Sequence, residues 1–145
     1  MNENPLKYSL TTRFKERQIL KLLDIKAGDR LLDVGCGIGY LSGLARDCGA
    51  EVVGIDMSPL ALGHAHARVS GGFVNAGAGE LPFADNSFDK VIFADVIEHV
   101  PDDRQALGEI VRVAKPDAGI VISTPALEGI FTETWIKTYL HGEED

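Results

Sequence analysis

The sequence predicts an α/β fold: a doubly wound sheet of five parallel strands with helices on both faces. Three observations predict it. Short apolar runs alternate with amphipathic stretches along the chain, which is the pattern of successive strand–helix units. The runs RLLDV, EVVGI, FDKVIF and IVIS are mostly apolar throughout, as in strands covered on both faces. Glycine is enriched, with 16 in 145 residues against about 7% in an average protein, and several crowd the turn after the first run.

Taken in order, residues 1–11 read as an extended polar lead-in. A helix follows over Thr12–Leu23, with Phe14, Ile19, Leu20, Leu22 and Leu23 as its apolar positions. Lys26–Asp29 is a turn, and Arg30–Val34 is the first strand. After the glycines, Tyr40–Cys48 reads as a helix stopped by Gly49. Glu51–Ile55 is the second strand. Ser58 can cap a helix that has Pro59 in its first turn and runs to about Val69. Gly72–Asn75 is a short third strand and Phe88–Phe93 the fourth. The helix Asp103–Ala114 presents Leu107, Ile110, Val111 and Ala114 on one face. Lys115–Gly119 breaks it, Ile120–Ser123 forms the fifth strand, and Pro125 ends that strand. Nothing divides the chain, so residues 1–145 read as a single domain with a tail over 125–145.

Lys and Arg total 14 against 22 Asp and Glu, a net charge of −8. A nucleic-acid backbone or an anionic membrane calls for a basic face, so neither is the expected partner. Two cysteines, Cys36 and Cys48, make neither a disulfide framework nor a zinc signature, and no metal site is expected. No apolar stretch reaches the ~18 residues of a membrane span. The first ten residues lack the basic start and apolar core of a secretory signal. The expectation is a cytoplasmic protein with reduced thiols.

Ligands of open α/β sheets lie beyond the carboxyl ends of the strands, where strand order reverses. Here those ends are Asp33–Gly39, Asp56–Met57, Asn75–Gly79 and Ala94–His99. The first carries Gly35-Cys36-Gly37-Ile38-Gly39, a G-x-G-x-G loop in which a ligand can rest against main chain. The dinucleotide fingerprint G-x-G-x-x-G fails in both frames, since its third glycine would fall on Tyr40 or Ser42. No Gly-Lys-Ser/Thr of a phosphate loop is present. The loop therefore suits a nucleoside-like ligand without a pyrophosphate, and a nicotinamide oxidoreductase is disfavoured. Asp56, ending the second strand, can accept from the vicinal hydroxyls of a ribose, and Ser58 is available as the helix cap. Asp33 sits where a buried carboxylate needs a cationic or hydrogen-bonding partner. A ligand with ammonium and sulfonium groups would supply one.

Val34-Gly35-Cys36-Gly37-Ile38-Gly39 resembles the first motif of class I S-adenosylmethionine-dependent methyltransferases. Gly79-Glu80-Leu81-Pro82-Phe83-Ala84-Asp85-Asn86-Ser87-Phe88-Asp89 is similar to a segment of their type 11 subfamily, as are Val96-Ile97-Glu98-His99-Val100 and Ala114-Lys115-Pro116. The four motifs run in the correct order over about Arg30–Thr124, and small-molecule methyltransferases that modify quinone precursors are the nearest in feel. The resemblance implies a Rossmann-like sheet in the strand order 3-2-1-4-5, with S-adenosylmethionine as cofactor and S-adenosylhomocysteine as product. Asp33, Gly35 and Gly37 would surround the methionine part, within the loop that includes Cys36 and Gly39. Asp56 would hold the ribose, and Met57 would lie against the adenine. The main chain near Ala78 would meet the adenine edge, and Ala94 and Asp95 would face the reacting methyl group. One departure is Gly77, where the family usually carries an aspartate for the adenine amino group, so adenine recognition leans on main chain or on Asn75.

Methyl transfer needs a general base only for a hydroxyl acceptor. His99 is then the candidate, with Asp95 as a second acceptor-side residue, although Glu98 and His99 also suit the start of the next helix. His64 and His66 are two apart and diverge on a helix. Trp135, Ile136, Tyr139 and Leu140 read as core or interface cover. The fifth strand lacks a later strand to pair with, and an apolar free edge invites association. The expectation is a fragment of a longer protein, or an edge shielded by a homodimer or by the tail. Function is expected to be methyl transfer to a small-molecule acceptor. The alternative is a cofactor-binding module without turnover, truncated before its acceptor pocket.

Overall fold

A computed structural model of the chain describes residues 5–94 and 96–123. Its strands are β1 (Arg30–Val34), β2 (Glu51–Asp56), β3 (Gly72–Asn75), β4 (Phe88–Ala94) and β5 (Ala114–Ser123). Its helices are α1 (Pro5–Leu23), α2 (Tyr40–Asp47), α3 (Pro59–Arg68) and α4 (Asp103–Val113). The five strands are parallel and run β3-β2-β1-β4-β5 across the sheet. The chain builds β2 and β3 on one side of β1, then crosses to build β4 and β5 on the other. The carboxyl ends of β1 and β4 therefore flank the crevice where strand order reverses.

Strand alternation divides the core into two layers. Leu31, Val52, Ile92 and Val121 pack with Ile19 and Leu23 of α1 and Ala45 of α2. On the other face Leu32, Val34, Val91 and Phe93 pack with Ala106, Ile110 and Val113 of α4. Local signals start these helices. Ser58 Oγ accepts from Ala61 N at 3.2 Å, with Pro59 opening α3, and Asp102 Oδ1 accepts from Gln105 N at 3.0 Å at the head of α4.

Three expectations are corrected. The segment expected as an extended lead-in is helical from Pro5. Proline is pre-set for a first helical position, and no later breaker interrupts the run. On α1, burial falls on Ile19 and Leu23, while Phe14 and Leu22 are exposed. Those two buried residues are four apart and share one stripe; the wider apolar face does not form. The stretch Lys115–Gly119, expected to break the chain before a strand, lies inside β5. Phe88 pairs with Ala114 and Lys90 with Gly119, so residues 115–118 bulge out of the ladder. Pro116 has no N–H to give a ladder and is tolerated in such a bulge. The tail over 125–145, with its apolar stripe, lies outside the described residues.

Candidate functional site

Past β1 the chain turns through Gly35, Gly37 and Gly39, with φ of 72°, 54° and 82°. The N–H groups of Gly35 and Cys36 both donate to the Ile55 carbonyl at 2.8 Å, tying the loop to β2. A Cβ at Gly35 would run into the side chain of Val96, whereas one at Gly37 would meet nothing within 4 Å. Gly35 is thus required by packing, and Gly37 presents bare main chain to open space. The Cys36 side chain turns away, into a cluster with Leu62, Ala65 and Phe73. It fits there because Gly54 has no side chain; a Cβ at that position would lie 2.9 Å from Sγ. Burial pushes the Cys36 thiol up to about 12, so it stays a thiol at neutral pH and is no nucleophile.

Two carboxylates flank the loop. Asp33 is buried, and Ser42 Oγ of α2 donates to its Oδ2 at 2.6 Å. Burial raises its pKa to about 6; the Ser42 hydrogen bond opposes the shift and the charge of Asp56 adds to it. Asp56 is held by main chain: Gly37 N donates to Oδ2 at 2.9 Å, and Ser58 N donates to Oδ1 at 2.8 Å. Ser58 caps α3 as expected, yet Asp56 is engaged at the same helix start.

A hollow of about 280 Å³ opens beside the loop. Asp33, Gly35, Cys36, Gly37 and Ile38 line it, with Tyr40 and Leu41 of α2 and Ala94 of β4. Its outer wall is α1, through Lys15, Glu16 and Ile19. Sequence reasoning missed this wall. The signal available was spacing, because Glu16 stands three residues before the buried Ile19 and so shares its helix face. Burial raises the pKa of Glu16, partly offset by Arg13, and its Oε2 is buried without a hydrogen-bond partner among the described residues.

The remaining candidates lie around this hollow. Gly39 precedes α2 at its N-cap. Asn75 Nδ2 donates to the Asp56 carbonyl at 3.0 Å, joining the ends of β2 and β3. Met57 is 78% exposed beside that junction, and a Cβ at Gly77 would lie 3.8 Å from its Sδ. The Ala78 side chain is buried in the core. His99 sits on an exposed 3-10 turn over Ile97–His99, with Nε2 3.6 Å from Glu98 Oε1, and does not line the hollow. Asp95 lies outside the described residues. Among the described residues no group of His, Cys, Asp and Glu could hold a metal ion.

On the opposite face a second loop is clamped to α4. Arg112 donates through Nε and both Nη atoms to Glu109, Asp85 and the carbonyls of Leu81 and Phe83, all at 2.8–2.9 Å. Glu109 also accepts from Leu81 N at 2.8 Å, and Gln105 Nε2 donates to the Gly79 carbonyl at 2.7 Å. The Arg112 hydrogen bond, with that from Leu81 N, holds the Glu109 carboxyl down to about 2.

Residues 32–122 match the profile of the type 11 methyltransferases, a methyltransferase domain. The chain belongs to this family. The methyltransferase GfsG of Streptomyces halstedii is 37% identical over 77% of the chain and 43% of its own length. A ubiquinone biosynthesis O-methyltransferase of Hahella chejuensis is 44% identical over 67% of the chain and 43% of its own length. The PH0226 protein of Pyrococcus horikoshii superposes with a TM-score of 0.76 at 32% identity, over 87% of the chain and 58% of that structure. The chain thus spans less than half the length of these two curated relatives. The methyltransferase cofactor fits what is present: bare main chain at Gly37 for close approach, acids for a cationic ligand, and a buried Glu16 oxygen that has no donor among the described residues.

Proposed function

We propose that this chain is a single S-adenosylmethionine-binding methyltransferase domain that transfers a methyl group to a small-molecule acceptor. The observation that carries the reading is the acid-flanked hollow beside Gly37, at the strand-order reversal of a type 11 methyltransferase sheet. Asp33, Gly35 and Gly37 would hold the methionine part, and Asp56 the ribose. Met57, Asn75 and the main chain at Gly77 and Ala78 would border the adenine. The bound cofactor supplies a sulfonium methyl that is already activated, so the protein's task is alignment and exclusion of water. Cys36 and Gly39 shape the loop rather than react. Ala94 borders the hollow, and Asp95 and His99 are proposed on the acceptor side, His99 as base for a hydroxyl acceptor.

Relatives named for ubiquinone biosynthesis and for demethylmenaquinone favour a small acceptor, and the net charge of −8 disfavours a nucleic acid. No helix among the described residues is long and apolar enough to cross a membrane; a cytoplasmic setting is proposed. β5 lies at the sheet edge, and a homodimer through that edge is part of the proposal. The chain's coverage of 43% of its curated relatives keeps the second reading open, a binding module without turnover. Calorimetric titration should give binding of S-adenosylhomocysteine and none of NAD; the reverse result overturns the proposal. Methyl transfer to quinone-precursor phenols, assayed on this chain, separates the enzyme from the module.

A further inference from the structure

Glu16 has no part in the roles assigned so far. It stands on α1 three residues before Ile19, which is 1% exposed, so it is turned toward the sheet. Its Oε2 is buried and, among the described residues, accepts no hydrogen bond. A buried carboxylate oxygen left without a donor is costly, and this one borders the hollow shared with Asp33, Gly35 and Gly37. Arg13, one turn earlier on the same helix and exposed, acts on Glu16 through its charge and not through a hydrogen bond to Oε2. Asp33, which also lines the hollow, accepts from Ser42 Oγ, so that acid has a donor while Glu16 Oε2 has none among the described residues. The group that would satisfy Glu16 is a positively charged donor entering from the ligand. Of the cofactor's two cations only the α-ammonium has hydrogens to donate; the sulfonium has none.

We propose that Glu16 is a cofactor-binding residue that accepts a hydrogen bond from the α-ammonium group of the cofactor's amino-acid end, making α1 the outer wall of the site. The inference rests on the proposed function and adds a residue from outside the sheet to it. The test compares two ligands by calorimetry on the whole chain. S-adenosylhomocysteine carries the amino-acid end; methylthioadenosine keeps the nucleoside and the thioether but lacks that end. Glu16→Gln, which is isosteric, should weaken S-adenosylhomocysteine by about tenfold, the scale of one charge-assisted hydrogen bond, and leave methylthioadenosine unchanged. An equal fall for both ligands, or no change for either, overturns it. Should the variant not fold, the wild-type chain is titrated with S-adenosylhomocysteine lacking its α-amino group, and equal affinity for the two forms overturns it. A wild-type chain that binds neither nucleoside overturns the proposed function itself, whereas one that binds both while Glu16→Gln changes nothing removes only this inference.

Discussion

Two loops leave the carboxyl side of this sheet, and they use their polar groups in opposite ways. The segment from Gly79 to Ser87 directs its main-chain groups into α4: Arg112, Glu109 and Gln105 take up Gly79, Leu81 and Phe83, while Asn86 N and Ser87 N donate to the carbonyls of Arg112 and Val113. The segment from Gly35 to Gly39 is pinned at one end to Ile55 and then opens at Gly37 beside buried or held acids. One loop is finished by the protein; the other, on the proposed function, would be finished by a ligand. Both carry recognisable motifs, so motif strength alone does not separate scaffold from site; the fate of the polar groups does.

That contrast can be broken experimentally. The largest effect is expected from Arg112→Ala, which strands several charge-assisted hydrogen bonds to Glu109, Asp85 and two main-chain carbonyls and should lower the urea midpoint more than any other change considered. Urea unfolding would measure it, and hydrogen exchange should speed up over residues 79–87 ahead of the glycine loop. If both loops loosen together, they are not independent. The acids should diverge with pH. Asp33, raised from 3.8 to about 6, binds its proton more tightly when folded. Its ionisation therefore destabilises the fold as pH rises through that window, by about 3 kcal/mol. Asp33→Asn should abolish this slope between pH 4 and 8, as read by urea unfolding across that range. Glu109, lowered to about 2, acts the other way: its contribution is present above the ordinary carboxylate range and is lost as pH falls through about 2.

Smaller effects separate the loops by function. Asp56→Ala should cost about 2–3 kcal/mol of cofactor binding, measured by titration with S-adenosylhomocysteine; unchanged affinity would detach the ribose from this residue. Gly37→Ala should cost only about 1 kcal/mol of stability for its positive φ, with cofactor affinity falling more than thermal stability. Retained affinity would mean that the open main chain there carries no ligand.

The sheet was legible because a parallel sheet covered on both faces leaves mostly apolar runs; its order 3-2-1-4-5 was legible only through the motif resemblance, since alternation with helices allows other orders. The glycine loop was legible because positive φ restricts residue choice. Glu16 was not, since it reads as one more polar residue on a charged helix, and its place beside the glycine loop is a tertiary contact. Arg112 was hidden for a related reason. Its acceptors include carbonyls 29 and 31 residues upstream, and main-chain carbonyls leave no trace in side-chain pattern. Pro116 and Gly119 read as a stop because sequence does not show that a ladder resumes beyond a bulge.

The grip on Asp56 has a consequence for which sugars the proposed site would accept. A carboxylate offers about four lone-pair positions, and here each oxygen already receives one N–H, from Gly37 and from Ser58. One acceptor position per oxygen stays in hand, both fixed in direction by rigid backbone. A diol with two neighbouring O–H donors would fill the pair, while a deoxy sugar would leave one vacant; on the proposed function, selectivity for ribose over deoxyribose would be set by the main chain before any ligand arrives.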